Sequence, residues 1–176
     1  MMPLAVRIIR RLTHYWKRAH NAYYRGLVRM TVAKVGKGLS VNGKTLLTPN
    51  TWLGEGVSFN GLVVNGGGKV TIGSHFHSGP DCLFITEFHN YDKGKAIPYD
   101  ETQIIRDIMI EDNVWLGSRV IVLGGVTIGE GAIIQAGSCV VSNVPRCAIA
   151  GGHPAKVFKM RDIEHFDKLK AEGKFQ

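Results

Sequence analysis

Aliphatic residues recur every six positions in the second half of the chain, and this spacing constrains the fold more than any other feature. The run is Ile110, Leu116, Val122, Ile128, Ile134 and Val140, and a small or β-branched residue stands four positions after each. An α-helix has a period of 3.6 residues and a strand a period of two, so neither gives this spacing. A coil with short straight faces does, because each face sends two side chains inward per six residues. The sequence therefore predicts an all-β solenoid, a parallel β-helix.

The same period extends toward the N-terminus with two interruptions. Its earlier inward positions are Val41, Leu47, Leu53 and Phe59, with Thr45, Thr51, Val57 and Val63 at the matching fourth positions. The phase shifts by one residue around Gly66–Gly68, where a bulge or tight turn is expected. The pattern then stops after His89 and returns at Ile104. Residues 90–103 are therefore predicted to form one loop extruded from the coil.

Positive charge is concentrated at the N-terminus. Residues 1–37 contain nine Lys and Arg and no acid, whereas residues 38–176 contain 13 cations and 14 acids. We divide the chain into a basic helical extension (1–37), a solenoid domain (38–160) and a short C-terminal helix or tail (161–176). Leu4 to Met30 is predicted to form one basic amphipathic helix, or two short helices broken near Asn21 or Gly26.

The basic helix has two interpretations. It either caps the open end of the coil or attaches the protein to an anionic membrane surface, with Tyr15 and Trp16 among its cations. The sequence has no run of about 18 apolar residues, and arginines interrupt any signal-peptide core. Nothing in it matches a nucleic-acid-binding motif, so no nucleic acid partner is expected. The three cysteines follow no disulfide or metal spacing, which favours a cytoplasmic protein, peripheral to the inner membrane face if the helix binds lipid.

Four segments of the repeat and its C-terminal end stand out: Asn113-Val114-Trp115-Leu116-Gly117-Ser118, Gly125-Val126-Thr127-Ile128-Gly129, Ala136-Gly137-Ser138 and Ala150-Gly151-Gly152-His153-Pro154-Ala155-Lys156. These segments resemble the bacterial hexapeptide acyltransferases, in particular the maltose and galactoside O-acetyltransferases and the acetyltransferases of polysaccharide biosynthesis. The resemblance implies a left-handed parallel β-helix that assembles as a homotrimer. It also implies acetyl-CoA as co-substrate, with no metal.

A catalytic base follows from the same resemblance. In that family a His closes the six-residue repeat just before an extruded loop, and here this residue is His89, at the end of Phe84–His89. A neutral imidazole, with an ordinary pKa of about 6.5, can take the proton of a sugar hydroxyl while the oxygen attacks a thioester. Glu87 and Asp92 are the acids considered for orienting the ring.

The resemblance further implies a donor groove between neighbouring chains, so that Trp115 and His89 come from different chains. Trp115 would line the acyl-donor tunnel, and lysines would meet the phosphate end of the cofactor. Val141 and Ser142 stand where the family often has Thr-Lys, so a side-chain contact is lost there. The implied cofactor-binding residues are Trp115, Ser118, Ala136, Val141, Ser142, Lys156 and Lys159.

The acceptor is less defined by sequence. Asn60, Asp81 and Asp92 are the candidate acceptor-binding residues, and the expected acceptor is a free or lipid-linked sugar in capsule, exopolysaccharide or O-antigen synthesis. N-acetylation of an amino sugar or nucleotide sugar uses the same base and donor and stays open. So does a non-catalytic trimeric scaffold or binding module. A further alternative is a zinc site formed by His75, His77 and His89 across subunits, as in the zinc-dependent carbonic anhydrases that share this fold.

Overall fold

The computed structural model describes residues 3–176. Two helices, α1 (Leu4–Thr31) and α2 (Ile163–Ala171), flank a parallel β-solenoid of about six turns. Its strands are β1 Ser40–Val41, β2 Thr45–Leu46, β3 Thr51–Leu53, β4 Ser58–Phe59, β5 Leu62–Asn65, β6 Val70–Ile72, β7 His77–Ser78, β8 Cys82–Ile85, β9 Glu87–His89, β10 Gln103–Ile105, β11 Ile108–Ile110, β12 Trp115–Leu116, β13 Ile121–Leu123, β14 Thr127–Ile128, β15 Ile133–Ile134, β16 Cys139–Val140, β17 Ala148–Gly152 and β18 Ala155–Met160.

The coil has three flat faces, each a sheet of strands from successive turns. The first face is ordered β1-β4-β7-β12-β15-β17-β18, the second β16-β13-β8-β5-β2 and the third β14-β11-β6-β3. Strands within the coil pair in parallel, and each turn places equivalent residues in register, as Ile110 with Ile72 and Ile128. The coil begins before Val41, where the Ala33 amide donates to the Thr51 carbonyl, and it continues through β17.

The predicted inward positions form the core. Every aliphatic residue from Ile110 to Val140 in the six-residue series is at most 1% exposed, and the fourth-position residues from Val114 to Val144 are buried with them. Burying a large aliphatic side chain contributes about 1.5–3 kcal/mol, so a column repeated on every turn stabilises the whole stack. Phe59 and Phe76 add an aromatic contact between turns, with ring centres 5.8 Å apart.

The phase shift is divided between two places, of which the sequence predicted only Gly66–Gly68. Val63, expected to point inward, is half-exposed, whereas Leu62 and Val64 on either side of it are buried. Phe59 to Val64 is five positions and Val64 to Ile72 is eight, so two repeats span 13 residues instead of 12. The coil is therefore shortened at Gly61 (φ +143°) and lengthened at Gly66–Gly68, where Gly66 has φ +99°. Only glycine adopts both conformations without steric cost.

The excursion from the coil is wider than residues 90–103 and is built on a β-hairpin. Strands β9 and β10 pair antiparallel, with His89 opposite Gln103. The two ends of the excursion are joined by the Arg106 amide, which donates to the Thr86 carbonyl at 2.9 Å. Ile104 is only partly buried, and the core resumes at Ile108, which is 1% exposed. The sequence pattern predicts that the coil resumes at Ile104, but this residue pairs with Phe88 in the hairpin.

Helix α1 is continuous, so of the two predicted alternatives the single helix is correct and there is no break near Asn21 or Gly26. Only its last turns meet the coil: Val28 is 1% exposed, and Tyr24 packs against the core. The preceding turns project away, leaving Leu12 and Trp16 62% and 68% exposed. No helix in the described part of the chain is both long and apolar enough to span a bilayer.

The C-terminal region consists of regular secondary structure. Strands β17 and β18 form an antiparallel hairpin that extends the first face, and α2 follows, capped by Asp162 accepting from the His165 amide. Phe166 is buried against the coil between the guanidinium groups of Arg146 and Arg161.

Glu130 anchors α2 electrostatically. Its carboxylate lies 2.5 Å from Lys170 Nζ and 3.1 Å from Arg146 Nε, and Arg146 also pairs with Asp167 on α2. Partial burial raises the pKa of Glu130, but hydrogen bonds from Lys170 and Arg146 lower it by more, so the pKa lies below its usual value. The hydrogen bond to Glu130 raises the pKa of Lys170.

Candidate active site

The sequence-predicted site residues separate onto two corners of the coil. The first corner, where the first face turns into the second, carries Asn60, Asp81, Ser118 and Ala136 on successive turns. The second corner, where the second face turns into the third, carries the β9–β10 hairpin, Val141 and Ser142. These corners lie at opposite ends of the second face. On one chain the predicted site residues therefore form two groups that do not meet.

The second corner presents His89 outside the coil. It ends β9, and its side chain is exposed. The imidazole stacks on the Tyr99 ring with centres 3.7 Å apart and planes 9° from parallel. Its Nδ1 lies 3.3 Å from Gln103 Nε2. Within residues 3–176 the other ring nitrogen, Nε2, makes no hydrogen bond, so it can meet a ligand from outside the chain.

Neither acid considered for orienting His89 contacts it. Glu87 precedes it by two residues, and its Oε2 accepts from the Gly67 amide at 2.9 Å, fastening the hairpin to the bulge. Asp92 is exposed on the loop tip and makes no hydrogen bond or ion pair within the described residues. Sequence reasoning missed Tyr99 and Gln103. Gln103 lies 14 positions after His89, so its proximity to His89 can be recognised only when the strand pairing across the loop is known.

The first corner is a column of turns stacked one on another. The Gly137 amide donates to the Ser118 carbonyl, and the Arg119 amide donates to the Pro80 carbonyl, each at 2.8 Å. Gly117 is required there, since a side chain would place its Cβ 2.5 Å from the Ala136 nitrogen. Ser118 and Ala136 therefore lie on adjacent turns, Ser118 half-buried and Ala136 exposed. The resemblance implies that both residues contact the pantetheine arm of coenzyme A.

Of the acceptor candidates on this corner, Asp81 is the more available. Its carboxylate is 74% exposed and 4.0 Å from the Arg119 guanidinium. The Asn60 side chain donates to the Ser78 carbonyl at 2.8 Å, which leaves its amide oxygen as the group that can accept from a ligand. Asp92 lies on the other corner, so the three candidates do not form one cluster within a chain.

Trp115 stands on the first face beside the first corner. It is 54% exposed and in register with His77 below and Ile133 above, so it projects from the sheet. These residues line an open cavity of about 620 Å³, whose other side is formed by α2 and the C-terminal tail. His75, also in the cavity wall, stacks on Phe175 of that tail at 4.1 Å.

The remaining cofactor candidates are exposed. Lys156 and Lys159 lie on β18, opposite Gly151 and Ile149 of β17, and no carboxylate pairs with either one in the described residues. Val141, 47% exposed, and Ser142 lie on the second corner. The seven residues implied for cofactor binding therefore do not line one continuous surface on a single chain.

The histidines do not form a metal site within one chain. His75 and His77 adjoin the first face, whereas His89 is on the hairpin at the second corner. In the described residues no group of three or more His, Cys, Asp or Glu is arranged to hold a metal ion. Cys82, Cys139 and Cys147 are buried free thiols, and burial raises the pKa of Cys82 and Cys147.

Comparison with known proteins adds three similarities. Residues 107–142 match the family described as bacterial transferase hexapeptide (six repeats). Galactoside O-acetyltransferase of Lactococcus lactis subsp. lactis is 34% identical over 109 residues, covering 61% of this chain and 52% of the relative. Chloramphenicol acetyltransferase of Klebsiella aerogenes is 34% identical over 109 residues, covering 53% of this chain and 52% of the relative.

A solved structure is similar over nearly the whole fold. The hexapeptide-repeat acetyltransferase of Vibrio cholerae O1 biovar eltor, in complex with acetyl-CoA, superposes with a TM-score of 0.69 at 26% identity, covering 89% of each chain. The chain spans about half the length of the curated relatives it matches, from 44% to 56% among the first four.

Proposed function

We propose that this chain, whose residues 107–142 match the bacterial hexapeptide transferase family, transfers an acetyl group from acetyl-CoA to a sugar hydroxyl during surface polysaccharide synthesis. The observation that carries the proposal is the exposed His89 on the hairpin, whose Nε2 makes no hydrogen bond within residues 3–176. A hydroxyl is a weak nucleophile at neutral pH, and an unprotonated imidazole nitrogen is the group that can activate it.

The proposed step needs one base and no covalent enzyme intermediate. His89 Nε2 takes the hydroxyl proton as the oxygen forms a bond to the acetyl carbonyl carbon. The carbon–sulfur bond then breaks, and the imidazolium returns the proton to the leaving coenzyme A thiolate. The thioester supplies the activated acyl group, so the protein has to position the two substrates and move one proton.

The exposed donor candidates fit the parts of acetyl-CoA they would meet. Trp115 offers an apolar ring beside the first corner, where the exposed Ala136 and the half-buried Ser118 would meet the pantetheine arm. Lys156 and Lys159 supply two cations for the phosphates. The residues present are thus compatible with this co-substrate.

We further propose that the site forms between chains of a homotrimer. His89 and Trp115 lie on different sides of one chain, and the proposed reaction needs the base beside the donor groove. A head-to-tail contact between the second corner of one copy and the first corner of the next brings them together, and such heterologous contacts close into rings. An active monomer, identified by light scattering during turnover, would contradict this assembly.

Helix α1 supports a further proposal, attachment to an anionic membrane surface. Its basic, acid-free sequence carries Leu12, Tyr15 and Trp16 in exposed positions, while only its last turns cap the coil. Each cation near an anionic surface contributes about 1 kcal/mol, screened by salt. This placement would favour a lipid-linked acceptor.

Liposome sedimentation tests the membrane proposal. Binding to vesicles containing anionic lipid should be strong at low salt and weaken at high salt, and neutral vesicles should not bind. Leu12→Ser with Trp16→Ser should weaken binding while Val28 still caps the coil. Equal recovery with neutral and anionic vesicles, or none at low salt, would leave α1 as a cap.

Release of coenzyme A thiol in the presence of a panel of acceptors tests the enzymatic proposal. Free sugars, lipid-linked sugars and amino sugars should be compared, using wild type, His89→Ala and, as matched control, His165→Ala on the exposed face of α2. Sugar-dependent thiol release that His89→Ala abolishes and His165→Ala keeps supports the proposal. Release with amino sugars alone would favour N-acetylation, and no release with any acceptor would favour a non-catalytic scaffold.

A further inference from the structure

The hairpin places a carboxamide directly against the proposed base. Gln103 is the cross-strand partner of His89 in the β9–β10 ladder, and its side-chain nitrogen is 3.3 Å from His89 Nδ1. Side chains directly opposite in an antiparallel pair are natural neighbours, so the backbone pairing itself sets this contact.

The loop also fixes the plane of the imidazole. Tyr99 stacks on it nearly parallel, and the next residue, Asp100, ties the loop together. The Asp100 carboxylate accepts from the Lys95 amide at 2.6 Å and from the amide and hydroxyl of Thr102 at 2.9 Å and 2.5 Å. The Thr102 hydroxyl, followed by the Lys95 amide, holds the pKa of Asp100 below its usual value, so the carboxylate keeps these bonds at neutral pH.

The proposed role of His89 determines which end of the Gln103 carboxamide faces Nδ1. Nδ1 is already engaged within the hairpin, so only Nε2 can reach a ligand. For Nε2 to accept a proton, the proton of the neutral ring must sit on Nδ1, and Nδ1–H needs an acceptor. A carboxamide presents oxygen or NH2 by a half-turn of its terminal group, and the two ends are interchangeable in shape.

We propose that Gln103 is the positioning residue of the site: its carboxamide oxygen accepts from His89 Nδ1–H, which leaves Nε2 as the proton acceptor, while Tyr99 holds the ring plane. This inference rests on the proposed function for its catalytic consequence. The tautomer it specifies is a property of the unliganded protein. Gln103 replaces Glu87 and Asp92 as the partner that orients the base.

Two substitutions and a neighbouring control separate positioning from structure. Gln103→Met keeps the side-chain length and removes the acceptor. Gln103→Glu keeps an acceptor and adds a charge. Glu101→Gln is the control, since the Glu101 side chain makes no hydrogen bond or ion pair within the described residues. The probes are the 15N NMR signals of the His89 ring, without substrate, and the pH profile of acetyl transfer.

The expected results are specific. Neutral His89 should carry its proton on Nδ1 in wild type and lose this preference in Gln103→Met, with kcat about 3- to 10-fold lower and the KM for acetyl-CoA unchanged. A carboxylate beside the ring favours its charged form, so Gln103→Glu should move the rise in rate to higher pH. Glu101→Gln should match wild type.

The proposal is overturned if His89 in wild type carries its proton on Nε2, or if Gln103→Met leaves the ring signals as they were. The NMR result stands even if no acceptor supports turnover, so the failure of the proposed function is distinguishable from failure of this inference. Should Gln103→Met disturb the hairpin, the ring signals and pH profile of Gln103→Glu decide the matter alone.

Discussion

Truncating one residue of the inward column should cost far more than truncating an outward neighbour on the same face. Ile128 on β14 is 0% exposed and stacks between Ile110 and Val144. Ile128→Ala removes three carbons, worth about 2.4 kcal/mol at 0.8 kcal/mol per buried CH2 group. The cavity left behind adds to this, because the neighbouring turns are held by their own hydrogen bonds. A total loss of about 3–5 kcal/mol is expected.

Met109 on β11 provides the matched control. It is one residue before Ile110, points outward and is 41% exposed, so Met109→Ala should change the free energy of unfolding by about 0.5 kcal/mol or less. Denaturant unfolding followed by circular dichroism measures both, at one fixed protein concentration because assembly contributes to stability. Equal losses for the two variants would refute the assignment of the six-residue column as the core.

Stability at the C-terminal helix should depend on pH through Glu130. The lowered pKa of Glu130 means that its stabilisation is present above the ordinary carboxyl value of about 4.3 and is lost as pH falls through the folded value. The raised pKa of Lys170 means that its share is present below about 10.4 and is lost as pH rises further. Hydrogen-exchange protection of α2 should therefore fall at both extremes, and Glu130→Gln should remove the acid limb; an unchanged acid limb would contradict the assignment. Thr86→Val removes the hydroxyl that accepts from the Gly68 amide at 3.1 Å and donates to the Asn65 carbonyl, so it should cost about 1–3 kcal/mol in denaturant unfolding. Unfolding at the wild-type midpoint would show that this bond does not hold the bulge.

The repeat was predictable from sequence because burial dictates it locally. A residue such as Ile128 must be apolar whatever the rest of the chain does, since two of every six side chains point inward. The phase shift was predicted only in part: the long turn at Gly66–Gly68 was expected, whereas the short turn at Gly61 was not, because the two together leave a net shift of only one residue. Counting inward positions along the sequence gives only the net shift of one residue, and it does not show how that shift is distributed between Gly61 and Gly66–Gly68.

The candidate site was predictable only in part. His89 and Trp115 stand out by position in the repeat, and the structure places both side chains outside the core. Their separation onto different sides of the chain depends on which face or corner of the coil each residue occupies. That assignment requires the path of the whole coil, including its irregular turns. Gln103 and Tyr99 were missed because their contacts with His89 arise from antiparallel pairing across a loop, which the six-residue period does not describe.

The central claim, a site shared between chains with His89 as its base, is tested most directly by mixing two inactive variants. His89→Ala and Trp115→Ala should each give assemblies with little acetyl transfer. Co-assembled in equal amounts, they should form sites in which the intact His89 of one chain meets the intact Trp115 of the next, recovering about one quarter of wild-type activity in random trimers. Mixed assemblies confirmed by native mass spectrometry that recover no activity above either variant alone would contradict the account.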